Sequence, residues 1–417
     1  MTTPARHIRR APKPDDPRTR FLIELARALG TYGTSAHRLE ATIVLCANEL
    51  GLECHVFSTP TSVFISIEHQ GSYSTYLSRI NPGDINLSRL RKLDGIFNAV
   101  IASHITPSAA TAQIKQLVRE KDPYPDWLTV LAMGGVSACA SIFLGGSSKE
   151  LAAASTIGLT IGTLNLFVGK NREHARLLEF LAGLVAALIA ALALFVVGGY
   201  TPFISILAGL IILLPGLTLT ISMTELATRN VVSGSARLIG ALMILLLLGF
   251  GVAVGTQLTS ALLDLPDQAQ LIPLSQSIGQ WIKIPAALAS ATFFVILFKA
   301  QWSDAWAMIL AVLVAYYSAR FGVEYFGPEL GVSFGAGCLG ILGNIFARAL
   351  DRPSAIVMLP GLLMLVPGSI SFKSIDLFMH QDTLGAMQTA MSVFIIAAGL
   401  VVGLLVSNVL VPPRKVL

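Results

Sequence analysis

Charge is what this chain has least of. Asp, Glu, Lys and Arg make up 13% of its 417 residues, about half the share usual in soluble proteins. The deficit is uneven: residues 1–126 hold 15 Lys/Arg and 12 Asp/Glu, while the remaining 291 hold 14 and 12. Cysteine is scarce as well. Cys46, Cys54, Cys139 and Cys338 form no CxxC pair, and two of them fall in apolar spans. That argues against a disulfide scaffold and against a zinc or other metal site. No G-x-x-x-x-G-K-[ST] loop occurs, so ATP-driven transport by this chain is not expected. No basic stripe with interleaved aromatics is present, so the pI near 9.1 does not point to nucleic acid. It fits basic residues kept at one membrane face. Met1–Arg20 lacks an apolar stretch and is rich in Arg, Pro and Asp. Residues 1–20 are read as a disordered basic tail rather than a signal peptide, with arginines that touch anionic lipid.

What is abundant is apolar length. Hydrophobic residues make up 54% of the chain, and after Trp127 ten apolar spans follow: 127–145, 150–168, 177–198, 202–222, 236–256, 284–300, 304–320, 331–349, 354–374 and 384–410. A helix needs roughly 20 residues to cross a hydrocarbon core about 30 Å thick; 284–300 and 304–320 are the shortest. The hydrophilic stretch 256–283 divides the ten into five and five. The expected fold is membrane α-helical, with ten transmembrane helices as two inverted five-helix repeats, 127–258 and 284–410. Five helices per repeat make the second enter the membrane upside down.

A small soluble α+β domain, 21–122, precedes them. Phe21, Leu22, Leu25, Ala28 and Leu29 share one helical face, and Gly30 and Gly33 interrupt it. Thr34 or Ser35 caps a second helix that ends at Gly51. Cys54–Phe57, Ser62–Ile67 and Tyr73–Arg79 read as strands, Asn81-Pro82-Gly83-Asp84 as a turn, and 87–103 and 107–121 as helices. The order is α-α-β-β-β-α-α, and 122–126 is the linker.

Orientation follows from loop charge. With the N-terminus cytoplasmic, ten Lys/Arg (Lys170, Arg172, Arg176, Arg229, Arg237, Lys299, Arg348, Arg352, Arg414, Lys415) lie inside. Four (Lys149, Lys283, Arg320, Lys373) lie outside. The expectation is a multi-pass protein of the cell membrane with both termini cytoplasmic.

Two segments nearly repeat. Gly209-Leu-Ile-Ile-Leu-Leu-Pro215-Gly216 recurs as Gly361-Leu-Leu-Met-Leu-Val-Pro367-Gly368. A Pro-Gly inside an apolar span interrupts its helix, which membranes tolerate only where the freed backbone groups meet protein or a watery cavity. Paired, interrupted helices in corresponding places of two halves point to a transporter's binding site; kinks that merely pack are the plainer alternative. Hydroxyls follow each break, Thr218, Thr220 and Ser222 in one copy and Ser369, Ser371 and Ser374 in the other. Pro215, Gly216, Thr218, Thr220, Pro367, Gly368, Ser369 and Ser371 are therefore the candidate substrate-binding residues. Each copy then reaches an acid before a leucine, Glu225-Leu226 and Asp376-Leu377. Both acids are candidate proton-coupling groups, although some nine residues, roughly 13 Å, of ideal helix bring each nearer the interface than the midplane. Lys373 stands at pairing distance from Asp376. Asn165 and Asn344, in apolar surroundings, are candidates for substrate contact or for hydrogen bonds between helices. Gly331, Gly335, Gly337, Gly340 and Gly343 suit close helix packing. In the soluble part Ser35, His37 and Asp84 do not form a convincing triad: Ser35 and His37 point to different helix faces, and no G-x-S-x-G elbow surrounds the serine. His55, beside Cys54, reads as a structural strand residue.

These residues carry a resemblance. Gly33-Thr-Ser-Ala-His-Arg-Leu-Glu40, Leu50-Gly-Leu52, Ser58–Ser66 and the set Arg79, Asp84, Leu87 and Leu90 resemble the N-terminal domain of the threonine/serine exporter family. Leu214-Pro215-Gly216, Glu225-Leu226, Gly234 and Arg237 resemble its membrane motif, and Val366-Pro367-Gly368 its C-terminal counterpart. The resemblance runs from about Phe21 to Leu410. Glu225 departs from it, standing where an aspartate is expected. The resemblance implies proton-driven export of small amino acids, and related two-component members are linked to dicarboxylate export. The partners expected are a small-molecule substrate (an amino acid or short dicarboxylate), protons and the lipid bilayer, with no nucleic acid and no cofactor. Association into a homo-oligomer is left open. A membrane-anchored hydrolase is the rival reading from another class, and the missing triad or metal set weighs against it.

Overall fold

The computed structural model describes residues 16–69, 71–168, 177–199, 201–263 and 279–413. The chain divides into two units, Met1–Asp84 with Arg89–Glu120, and Ile85–Ser88 with Lys121–Leu417.

The first unit follows the expected element order. Helix α1 (Pro17–Thr31) starts four residues earlier than its apolar face suggests. The Asp16 carboxylate accepts from the Arg18 N–H at 2.8 Å, and Pro17 takes the first-turn position where its missing N–H costs nothing. Residues 16–20 therefore belong to a capped helix rather than to a tail, and residues 1–15 lie outside the described ones. Phe21, Leu22, Leu25 and Leu29 are fully buried. Helix α2 (Ala36–Glu49) begins after Ser35, whose side chain makes no capping bond, and Gly51 closes it in the left-handed region. Strands β1 (Cys54–Thr59), β2 (Ser62–His69) and β3 (Ser72–Arg79) form one antiparallel sheet in chain order. Val63, Ile65 and Ile67 line its buried face. Helices α3 (Leu87–Ile101) and α4 (Pro107–Arg119) follow.

The second unit is wholly helical: α5 (Asp126–Phe143), α6 (Ser148–Val168), α7 (Leu178–Val197), α8 (Pro202–Gly209), α9 (Gly216–Ala227), α10 (Val231–Leu263), α11 (Lys283–Leu297), α12 (Ala305–Phe326), α13 (Pro328–Leu350), α14 (Ala355–Leu365), α15 (Gly368–Met379) and α16 (Thr383–Leu410). Among the described residues, eight segments are long and apolar enough to cross a membrane. The expected ten differ from these eight for identifiable reasons. The first Pro-Gly break leaves pieces of 8 and 12 residues, α8 and α9. Helix α11 has only 15 residues. The hydrophilic stretch 256–283 also shrinks, because α10 continues to Leu263, and residues 264–278 lie outside the described ones. Large apolar side chains such as Phe250, Phe394 and Val409 stand on the outer surface, as lipid contact requires. The chain is a multi-pass membrane protein.

Residues 122–126, expected as a linker, fall within the second unit. Asp122 takes the Lys299 ammonium at 2.7 Å and the Asn86 amide at 3.3 Å, and the Tyr124 hydroxyl donates to the Ala300 carbonyl at 2.6 Å.

A constant spacing runs through the helical unit. Adding 152 to the bounds of α9 gives those of α15, and adding 152 to the first residue of α10 gives the first residue of α16. Packing partners recur with it. Helix α7 packs on α10 as α13 does on α16, α6 on α8 as α12 on α14, and α9 on α10 as α15 on α16. The halves also meet crosswise: α10 touches α15 and α16 touches α9, while α5 packs on α11 and α9 on α15.

Candidate functional site

The two Pro-Gly pairs become two chain corners with nearly the same backbone. Pro215 has φ −79° and ψ 37°, Pro367 φ −79° and ψ 33°. Each proline precedes a new helix, and each glycine is that helix's first residue. The first intrahelical bonds run from the Leu219 N–H to the Pro215 carbonyl at 2.9 Å and from the Ser371 N–H to the Pro367 carbonyl at 2.8 Å. The amides of Gly216, Leu217 and Thr218, and of Gly368, Ser369 and Ile370, therefore precede their helical ladders. The approaches differ. Between Gly209 and Pro215 the chain turns: the Leu210 carbonyl accepts from the Leu213 and Leu214 N–H groups and the Gly209 carbonyl from the Ser137 hydroxyl. Helix α14 instead runs through Pro360 to Leu365, and only Val366 is extended before Pro367.

The corners touch. A Cβ on Gly216 would collide with Val366 Cγ1 and lie 3.2 Å from Gly368 Cα. A Cβ on Gly368 would lie 3.5 Å from Gly216 Cα. The N-terminal ends of α9 and α15 thus converge, and each carries the partial positive charge of a helix start. Around them Thr218 and Ser369 are half-buried. Thr220 donates to the Gly216 carbonyl at 3.3 Å and Ser371 to the Pro367 carbonyl at 2.8 Å. Both hydroxyls keep an acceptor lone pair.

The other candidates lie apart from this junction. Glu225 is fully buried at the end of α9 and binds α10: Ser233 donates to it at 2.8 Å and Arg237 Nε at 3.1 Å. Asp376 is half-buried on α15, 3.7 Å from the His380 ring, while Lys373 is exposed. The 152-residue spacing sets Glu225 opposite Leu377 and Asp376 opposite Thr224. The acids are therefore one residue, about 100° of helix, out of phase, and they face different neighbours. Asn344 is buried between α13 and the end of α16, donating to Asn408 at 2.9 Å and to the Val411 carbonyl at 2.7 Å. Asn165 is half-buried in α6.

Sequence reasoning overlooked two buried acids. Glu150, at the start of α6, accepts from the Ser147 N–H at 2.9 Å and from the Thr201 N–H at 2.9 Å, just before α8. Asp304, before α12, accepts from Arg352 Nη1 at 2.5 Å, just before α14. Each acid ties down the base of one interrupted helix. The available signal was an acid in the first turn of an otherwise apolar span.

In the first unit, His37 is held near pKa 4, chiefly by burial and then by neighbouring Arg38, so it is neutral at pH 7. Burial raises Cys46 to about 12 and Cys54 to about 11, which leaves both thiols protonated and poor nucleophiles. No group of three or more His, Cys, Asp and Glu residues that would hold a metal exists among the described residues.

Residues 20–259 match the family described as putative threonine/serine exporter, and residues 283–410 match the one described as threonine/serine exporter, ThrE. Similar curated proteins include several called pheromone-regulated membrane protein 10. That of Candida albicans is 29% identical over 365 residues, covering 86% of this chain and 33% of that protein. That of Pichia sorbitophila is 28% identical over 365 residues, covering 86% and 37%. That of Saccharomyces cerevisiae is 24% identical over 422 residues, covering 95% and 54%. The chain thus spans about a third to a half of the length of the curated relatives it matches. No solved structure matches it significantly.

Proposed function

We propose that this chain, which belongs to the threonine/serine exporter family, is a proton-coupled secondary exporter of small polar amino acids. It acts in the cell membrane with both termini cytoplasmic. The observation that carries this reading is the meeting of Gly216 and Gly368, which brings two helix N-termini to one point. Such ends bind carboxylates. The carbonyls of Ile211 to Leu214 suit an ammonium group, and Thr218, Thr220, Ser369 and Ser371 suit a short hydroxylated side chain. A threonine- or serine-like zwitterion fits that set. Because two N-termini are present, a short dicarboxylate is the second reading.

The shared spacing and the recurring packing support ten spans in two inverted five-helix repeats. In that arrangement the two interrupted helices run in opposite directions and meet at mid-depth. Rocking of one half on the other then exposes the junction to each face in turn. Glu225 or Asp376 carries the coupled proton. Asp376, half-buried near His380 and Lys373 and without an arginine clamp such as Glu225 has, is the freer to exchange it.

The test is uptake of labelled threonine, serine and succinate into inverted vesicles under an imposed pH gradient. Wild type moves the amino acids, and Gly216→Leu and Gly368→Leu insert but do not transport. Asp376→Asn or Glu225→Gln transports with a flattened dependence on the gradient. If all four variants transport at the wild-type rate with unchanged pH dependence, the breaks are packing kinks and this reading fails. Transport of succinate alone would favour the second reading.

A further inference from the structure

Beside the Pro-Gly junction lies a cavity of about 100 Å³ enclosed by α9, α10, α15 and α16. Its walls pair up at the 152-residue spacing, and the pairs explain why it exists. Leu219, Leu238 and Leu245 in the first half correspond to Ser371, Ala390 and Ala397 in the second. The cavity is the space that three leucines of the second half would have filled.

The lining is apolar apart from Ser371 and Ser374. Those hydroxyls already donate to the Pro367 and Ala386 carbonyls, each at 2.8 Å. No donor remains for a zwitterion, and an apolar void does not hold water. The rim is formed by a further pair, Leu242 and Phe394, which are 40% and 44% exposed. It is continuous with the outward rows of the same helices, Ile239 and Met243 on α10 and Met391 and Ile395 on α16. Leu242 falls within the apolar span 236–256 and Phe394 within 384–410, the stretches that cross a hydrocarbon core about 30 Å thick. The opening therefore faces lipid tails rather than headgroups.

We infer that this cavity is a binding site for the end of a bilayer lipid's acyl chain. The seated chain rests against Leu219 and Ser371, one turn beyond the two glycine corners, and so reaches the first turns of both interrupted helices from the lipid side. The inference needs only that the unit spans a bilayer; it does not depend on which solute is moved.

The test uses the full chain reconstituted in phosphatidylcholine vesicles whose lipid carries a diazirine near the end of one acyl chain, with adducts mapped by mass spectrometry after photolysis. Adducts should concentrate on α10 and α16 around Leu242 and Phe394, above the level at Val409, which is 80% exposed. Ala390→Leu, which restores the residue of its counterpart, should lower labelling at the cleft at least fivefold and leave Val409 unchanged. Ala397→Leu provides the same test if Ala390→Leu does not insert. Cleft labelling no higher than at Val409, or unchanged in the filled variant, overturns the assignment. So does an unlabelled cleft with a disulfide-linked dimer of Leu242→Cys, which would give the site to a second copy.

Discussion

The corner at Pro215-Gly216 and the corner at Pro367-Gly368 share a backbone and little else. Their ψ angles differ by a few degrees, and each starts a 12-residue helix. Around that common frame the side chains diverge. The first half holds a fully buried acid clamped by Arg237, whereas the second holds a half-buried acid beside His380. The first half fills its flank with leucine, and the second leaves it hollow. The shared break is where the two halves meet, whereas the flanks face different neighbours.

The sharpest way to break this comparison is to remove the acids. Glu225→Ala strands a guanidinium that is largely buried and should cost about 3–5 kcal/mol. Asp376→Ala should cost less than about 1 kcal/mol, since its partner His380 is mostly exposed. Thermal unfolding in lipid nanodiscs measures both, and equal losses would show that the two corners are equally strained by charge. The glycines come next. Gly216→Ala forces a methyl into Val366 and should destabilise by roughly 1–3 kcal/mol and slow transport at least tenfold. Gly368→Ala meets only ordinary van der Waals contacts and should stay close to wild type in both assays. A reversed order would mean that the corners do not touch as described. The smallest effect is expected at the bases of the interrupted helices. Glu150→Gln keeps one acceptor oxygen, so that one of the Ser147 and Thr201 amides loses its partner, and should cost about 1 kcal/mol. Asp304→Asn leaves Arg352 without its carboxylate and should cost about twice that. A larger loss for Glu150→Gln would make the first base the stiffer of the two.

Much of this was legible in the sequence. The repeated Pro-Gly motif located both corners, and the apolar periodicity and turn residues ordered the first unit's helices and strands. The phase of the two acids was not legible. Matching Glu225-Leu226 with Asp376-Leu377 follows residue type, but the prolines fix a spacing of 152, and one residue of slip turns a side chain by about 100°. Glu225 therefore reaches Arg237 on α10, whereas Asp376 faces His380 and Lys373 on its own helix. Asn344 shows a similar limit. Its apolar neighbours in sequence do not reveal that Asn408 and Val411, more than sixty residues away, supply its partners. The buried acids Glu150 and Asp304 were hidden because helix-end charges resemble interface residues until the partner's position is known.

The constant interval between the halves bears on how this chain is able to change over time. A residue inserted or lost within α9 or its loop to α10 would rotate every later side chain of that half relative to its counterpart, and would move one corner off the other. Substitutions away from the two corners and the Glu225–Arg237 pair carry no such penalty. Natural variants are therefore expected to differ in residue type at the other positions of α9–α10 and α15–α16 while keeping the number of residues fixed, with insertions and deletions collecting outside these segments. Length, rather than composition, is the inherited quantity.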